Sequence, residues 1–284
     1  MNTAKKIKLI DFKLSKSVGN LLFGLYKSKF HGSGINFYEH REYVFGEAVK
    51  NIDWKSSSKT SKIYSKIFEE EKELNVLFVL DINSSMLFSS GYKSKKDLLQ
   101  EVFYSLAFSS YKNSDNFGIL LYDGKKNLNF PYKKDFSNIF KTIEEIENIK
   151  FSENIEKNKT IKILEYLVKL KTKDNLIFIL TDDILDVYDN NLKILGLRNE
   201  LIFINIFDYF ENNLESFGQD FTLNSGKNFL NIYSQIKKIK KYNALRAVRI
   251  ENFKKILKKY KIGYIYTDTK KDVFKELSIY FSKI

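Results

Sequence analysis

Cysteine is missing from the 284-residue chain, which excludes a disulfide framework and any thiolate metal centre. Histidine occurs only as His31 and His40. Two imidazoles are too few for a histidine-built zinc site, and both read as turn or packing residues. Proline appears once, at Pro131. No apolar run approaches the ~20 residues of a membrane helix, and Lys5, Lys6, Lys8, Asp11 and Lys13 break up the apolar core that a secretory signal would need. These absences predict a soluble, cytoplasmic protein.

Hydrophobic residues are plentiful, at 43% with 15% aromatic, so the chain can fill a large core and disorder is not expected. The length suits one large α/β domain, with or without a sizeable extension. A net charge of +13 invites a nucleic-acid reading. However, lysine, asparagine, isoleucine and phenylalanine are all heavily used while proline is nearly absent. That is the drift of an AT-rich genome, which raises lysine everywhere without building a groove. Local basic runs at 237–241 and 254–255 read as solvated helix faces. No nucleic-acid partner is expected, although the charge would help an acidic partner find this surface.

From about residue 75 onward, strand and helix patterns alternate. Near-continuous apolar runs lie at 76–80, 117–122, 176–180 and 201–207, with a shorter one at 263–266. A parallel sheet covered on both faces requires strands of this kind. Between them, Leu98, Val102 and Leu106 recur at helical spacing, as do Ile161, Leu164 and Val168. A third stripe comprises Leu245, Val248, Phe253, Ile256, Leu257 and Tyr260. All three read as core faces. Gly124 and Pro131 bracket a candidate edge strand at 125–130. The expected fold class is α/β, a doubly wound and mostly parallel sheet. Residues 1–72 read as an N-terminal extension packed on a domain at 73–284, with a helix at 17–30 ended by His31-Gly32-Ser33-Gly34.

The candidate chemistry sits at two strand ends. Asp81, Asn83 and Ser85 place a carboxylate, an amide and a hydroxyl at alternate positions after the run 76–80. Thr181-Asp182-Asp183 follows the run 176–180 in the same way. Ligand sites in open α/β sheets lie just beyond the carboxyl ends of the strands, and hard oxygen donors suit magnesium. A metal site is therefore the first reading. The alternative is that Asp81 and Asn83 cap the following loop through their side-chain oxygens.

A series of spaced motifs carries a family resemblance. His31-Gly32-Ser33-Gly34-Ile35-Asn36-Phe37, Arg41-Glu42-Tyr43, Gly46-Glu47, Ile52-Asp53-Trp54-Lys55 and Phe68-Glu69-Glu70-Glu71 closely resemble the opening of the domain-of-unknown-function 58 family. There, a glycine-rich turn, an R-x-Y, a G-D and an I-D-W precede a von Willebrand factor A-like domain. The similarity continues through Asp81–Met86 and Thr181-Asp182 to residues 262–266 and 278–281. Glu47 stands where the family has aspartate, and lysine or asparagine (Lys50, Asn51) where it has arginine.

The resemblance implies a metal-ion-dependent adhesion site, D-x-S-x-S with a distant threonine and aspartate. Asp81, Asn83 and Ser85 match the first element, Thr160 is the candidate threonine, and Asp182 fits the last position. Magnesium or manganese would be the ion, and a partner's carboxylate its final ligand. Asn83 departs from the motif's serine, Thr160 could equally be a helix N-cap, and Asp183 reads as a solvated neighbour. In the extension, Arg41, Tyr43, Asp53 and Trp54 are possible partner contacts. Against that stands a structural role: Trp54 anchoring the extension, and Arg41 pairing with Asp53.

The resemblance further implies a non-enzymatic interaction module. It would work with a MoxR-type AAA+ ATPase and other von Willebrand A proteins in the assembly or maturation of complexes. One alternative is a magnesium-dependent phosphotransfer or hydrolytic enzyme, but Asn83 stands where such an enzyme needs a general acid and no G-x-x-x-x-G-K loop is present. A basic nucleic-acid-binding protein is the other.

Overall fold

The computed structural model describes residues 31–32, 36–60, 62–69, 74–123, 127–148, 159–185, 189–212, 222–224, 229–231 and 236–283. The helix expected at 17–30 lies outside these residues, as do Ser33 and Gly34. In the N-terminal region, β1 (His31–Gly32), β2 (Asn36–Glu42) and β3 (Tyr64–Glu69) form an antiparallel sheet in the order β1-β3-β2, with a one-turn helix, α1 (Trp54–Ser57), between β2 and β3.

The remainder is the expected α/β domain. Its elements are β4 (Asn75–Asp81), α2 (Lys95–Lys112), β5 (Asn116–Tyr122), β6 (Asn127–Lys133), α3 (Ser137–Asn148), α4 (Lys159–Lys169), β7 (Asn175–Thr181), α5 (Asn190–Arg198) and β8 (Glu200–Phe207). A small antiparallel pair follows, β9 (Thr222–Asn224) and β10 (Phe229–Asn231). Then come α6 (Ile236–Lys259), β11 (Gly263–Asp268) and α7 (Val273–Phe281). Six strands make one sheet, ordered β11-β8-β7-β4-β5-β6. Every pairing is parallel except the edge strand β6, which runs antiparallel to β5. The order reverses beside β4, and this is where a doubly wound sheet opens its crevice.

The core divides as strand geometry requires, since successive side chains point to opposite faces. Val76, Phe78 and Leu80 pack with α2, α3 and α7. Leu77 and Val79 pack with α4, α5 and α6. Helix α2 is buried nearly all round, and its internal serines turn back on the helix: Ser105 and Ser110 donate to the carbonyls of Glu101 and Leu106, at 2.7 and 3.2 Å.

Several expectations need correction. The edge strand runs through Pro131 instead of stopping before it. Pro131 survives because β6 has an open side and its register with β5 shifts at that point, the positions where a strand tolerates proline. In α4 the buried apolar residues are Ile163, Leu164 and Leu167, while Ile161 and Val168 are only partly covered. In the stripe on α6, Phe253, Ile256 and Leu257 are buried but Leu245 and Val248 are exposed. A helix of 24 residues is about 36 Å long, longer than the neighbouring six-residue strand, so its first half runs past the sheet.

The N-terminal signature is a set of local clips. Arg41 pairs with the Glu47 carboxylate, and the Tyr43 hydroxyl donates to the Glu47 carbonyl at 3.1 Å. Arg41 therefore does not meet Asp53 as expected. Glu47 lies closer along the chain and keeps the carboxylate that aspartate would supply. The turn between them needs Gly46, whose φ of 101° disfavours any side chain. Asp53 caps α1, accepting from the Lys55 and Ser56 amides at 3.0 and 3.1 Å. It also accepts from His40 Nε2 at 2.6 Å, so His40 has a defined partner and is more than packing. His40 and the Ser56 amide hold the Asp53 carboxyl well below the usual carboxylate range. Trp54 is 63% exposed, because Asp53 starts a helix whose first residue faces water; the tryptophan does not act as a buried anchor.

Candidate functional site

Asp81 ends β4, and one further bond to the neighbouring strand, from the Ile82 amide to the Tyr122 carbonyl at 2.9 Å, fixes its backbone. Its side chain is 5% exposed. Oδ1 accepts from the Asn83 amide at 3.2 Å and from Asn83 Nδ2 at 2.5 Å. Oδ2 accepts from the Thr181 hydroxyl at 2.7 Å and faces Lys159 Nζ at 2.7 Å. The loop-capping alternative is therefore realised by Asp81, which receives the Asn83 amide, and not by the Asn83 side chain.

Lys159 is the centre of the cluster. Besides Asp81, its ammonium meets Asp182 Oδ1 at 2.5 Å and Ser85 Oγ at 3.2 Å. An ammonium has three protons, and these three oxygens take them. Asp182 Oδ2 in turn accepts from Lys95 Nζ at 2.9 Å, Lys95 reaches Glu211 Oε1 at 2.7 Å, and Arg246 approaches Glu211 Oε2 at 3.4 Å. The result is a chain of alternating sign, Asp81–Lys159–Asp182–Lys95–Glu211–Arg246, crossing the carboxyl end of the sheet. Lys95 sits in the first turn of α2, where the helix dipole disfavours a cation, and the two carboxylates offset that cost. Beside this chain, Asp208 at the end of β8 binds both the amide and hydroxyl of Ser90, fastening the loop after β4. Asp208 also accepts from Thr269 at 3.3 Å.

Thr160 is turned aside. Its hydroxyl donates to Asp183 Oδ2 at 2.8 Å, and the Asp183 amide donates to Thr181 Oγ1 at 3.0 Å. Asp183 is thus a structural acceptor and not a solvated neighbour. Of the five side chains assigned to a metal, Asp81, Ser85 and Asp182 converge on one point, Asn83 binds Asp81, and Thr160 joins only through Asp183 and Thr181. The donor set does not fit a divalent ion in this arrangement, because an ammonium already stands where the carboxylates converge. A cavity of about 10 Å³ beside it, lined by Asp81, Lys159, Thr160 and Thr181, is no larger than one water needs. The lysines and Glu211 were missed in the sequence. The only signal was that Lys159 directly precedes Thr160 and that Lys95 lies between Ser94 and Asp97, the two members of a capping box.

The titration behaviour follows from this geometry. Burial pushes the Asp81 carboxyl up, against the pull of Lys159. Burial acts on Asp182 in the same sense, but Lys95 and Lys159 more than offset it and hold that carboxyl well below the usual range. Both ammonium groups are raised, because their carboxylate partners outweigh burial. A depressed carboxyl contributes stability that is present above its unfolded pKa and lost as pH falls through its folded value. The wild-type advantage over Asp182→Asn should therefore be complete above about pH 5 and shrink as pH falls below about 4. Urea unfolding of both proteins across that range checks it; an advantage independent of pH would contradict the ion-paired assignment.

The fold and site define a doubly wound α/β domain with an ion-paired cluster at its strand ends. Residues 39–239 match the family described as Protein of unknown function DUF58, and the chain belongs to that family. It is similar to uncharacterized proteins of Mycobacterium bovis and Mycobacterium tuberculosis, 22% identical over 121 residues. That match spans 43% of this chain and only 38% of the relatives' length. Among solved structures, the conserved hypothetical protein BatB from Bacteroides thetaiotaomicron aligns with a TM-score of 0.48 at 16% identity, covering 74% of this chain and 98% of that one. The SpRpn10 VWA domain aligns at 0.38 and 10% identity, covering 72% and 94%. Among the described residues, no helix is long and apolar enough to cross a membrane.

Proposed function

We propose that this chain is a non-enzymatic interaction module that docks partners on the loops at the carboxyl end of its sheet. The observation carrying this reading is an apolar, aromatic crest beside the buried ion chain. Leu87, Phe88 and Tyr92 are 47, 39 and 53% exposed on the loop leaving β4. Tyr92 stacks on Phe210 with centroids 6.2 Å apart, and Lys270 Nζ lies 4.4 Å from the centre of the Tyr209 ring. Loops after β4, β8 and β11 thus build one surface from aromatic rings and a cation, the residue types that dominate binding hot spots. The charged groups beneath are paired with one another, which suits a rigid platform better than a reacting centre. Exposed Trp54 and half-exposed Arg41 offer a second contact through the family signature.

The partner implied by the family resemblance is a MoxR-type AAA+ ATPase, with other von Willebrand A proteins. Binding of such an ATPase to the immobilised full chain tests the reading. Phe88→Ala with Tyr92→Ala is expected to weaken it by about tenfold or more, since each truncated aromatic anchor typically costs about 1–2 kcal/mol. Unchanged affinity in the double variant would refute the crest as the docking face. Repeating the measurement in EDTA separates the two modes: metal-bridged docking would be lost, whereas docking on the crest persists.

A further inference from the structure

We infer that the Lys159 ammonium is the resident cation of this strand-end site, taking the place of a divalent metal. The argument starts from convergence. Asp81 at the end of β4, Ser85 in the loop after it and Asp182 after β7 come from separate segments. Yet all three direct an oxygen to one nitrogen, at 2.7, 3.2 and 2.5 Å. These are three of the five groups that the adhesion-site motif assigns to an ion. Lysine carries its charge on a compact, strongly hydrated point at the end of a flexible stem, so it can reach a pocket shaped for a small cation.

The charge count agrees. Asp81 and Asp182 are two buried negative charges, and Lys159 with Lys95 supplies two buried positive ones. Adding a divalent ion while both ammonium groups remained would leave a buried excess of two positive charges, which a low-dielectric site opposes strongly. Entry of the ion would require Lys159 to leave, stripping it of three hydrogen bonds. The remaining motif groups are committed as well: Asn83 presents its amide nitrogen to Asp81, and the Thr160 hydroxyl is held by Asp183. The tethered charge makes the platform permanently formed, independent of the supply of metal. Its consequence for partner binding rests on the docking reading above; its independence of metal does not.

The test is manganese binding, read by electron paramagnetic resonance and by the shift in Tm of the full-length chain. Wild-type protein is expected to show no saturable binding and no Tm shift up to millimolar Mn²⁺. Lys159→Ala empties the position but leaves Asp81, Asp182 and Ser85, and is expected to acquire saturable binding with a rise in Tm on adding the ion. Saturable binding by wild type that is lost in Asp81→Asn overturns the proposal, and so does a folded Lys159→Ala that binds none. The wild-type titration decides the matter alone should Lys159→Ala not fold. Neither result depends on a partner, so a failed docking experiment stays distinguishable.

Discussion

Asp182→Ala is expected to lower the unfolding free energy by about 3–5 kcal/mol, the usual cost of breaking a buried ion pair by removing one partner. Its carboxylate is shared by two ammonium groups whose side chains are 3 and 6% exposed. Removing it leaves Lys95 leaning on Glu211 alone and Lys159 on Asp81 and Ser85. The cluster would then hold more buried positive than negative charge. Urea unfolding of the variant measures the loss. A second arm separates this account from simple loss of packing: Asp182→Ala combined with Lys159→Met removes one charge of each sign and should recover part of the stability, because an apolar pair of similar volume avoids the desolvation penalty. A double variant as weak as the sum of its singles would contradict the charge argument.

Phe78→Ala is expected to cost a similar amount, about 3–5 kcal/mol, for a different reason. Phe78 is fully buried in β4, the strand with β5 on one side and β7 on the other. Its ring stacks on Phe178 with centroids 5.4 Å apart and meets Phe103 edge-on at 5.4 Å and Phe117 at 6.5 Å. The surrounding strands are fixed by their ladders, so they cannot close the cavity. Chemical denaturation reports the loss, with Phe45→Ala as reference. Phe45 is 99% exposed, and its truncation should stay within about 0.5 kcal/mol. Equal costs at the two positions would contradict the assignment of Phe78 to the core.

The sheet was legible because its strands are buried on both faces. A run such as Leu-Ile-Phe-Ile-Leu at 176–180 has few other soluble uses, and each predicted run became a strand within a residue or two at either end. The helices were less so, because a period shows that one face is apolar without showing how far the sheet extends to cover it. Leu245 and Val248 keep the helical spacing of Phe253 and Ile256 yet lie in water. An edge strand was foreseen, though not its antiparallel direction, and Pro131 misplaced its end, since proline is a breaker only where its missing amide would have been paired.

Ion pairing was the least legible feature. The chain carries 48 lysines and arginines, and the two lysines that matter look like all the others. Arg41 and Asp53 form a plausible pair on paper, but a six-residue turn through Gly46 gave Arg41 to Glu47 and left Asp53 to His40.

The order of apolar runs and acidic strand ends, a local property of the chain, settled that this is a doubly wound α/β domain with its polar cluster at the carboxyl edge. Which cation those carboxylates face was settled only by folding. Lys159 is 78 positions from Asp81 along the sequence, and only the parallel crossover between them brings its charge to the carboxylates. Electrostatic partners are chosen by distance in space and by exclusion of water, neither of which is written in the spacing of residues.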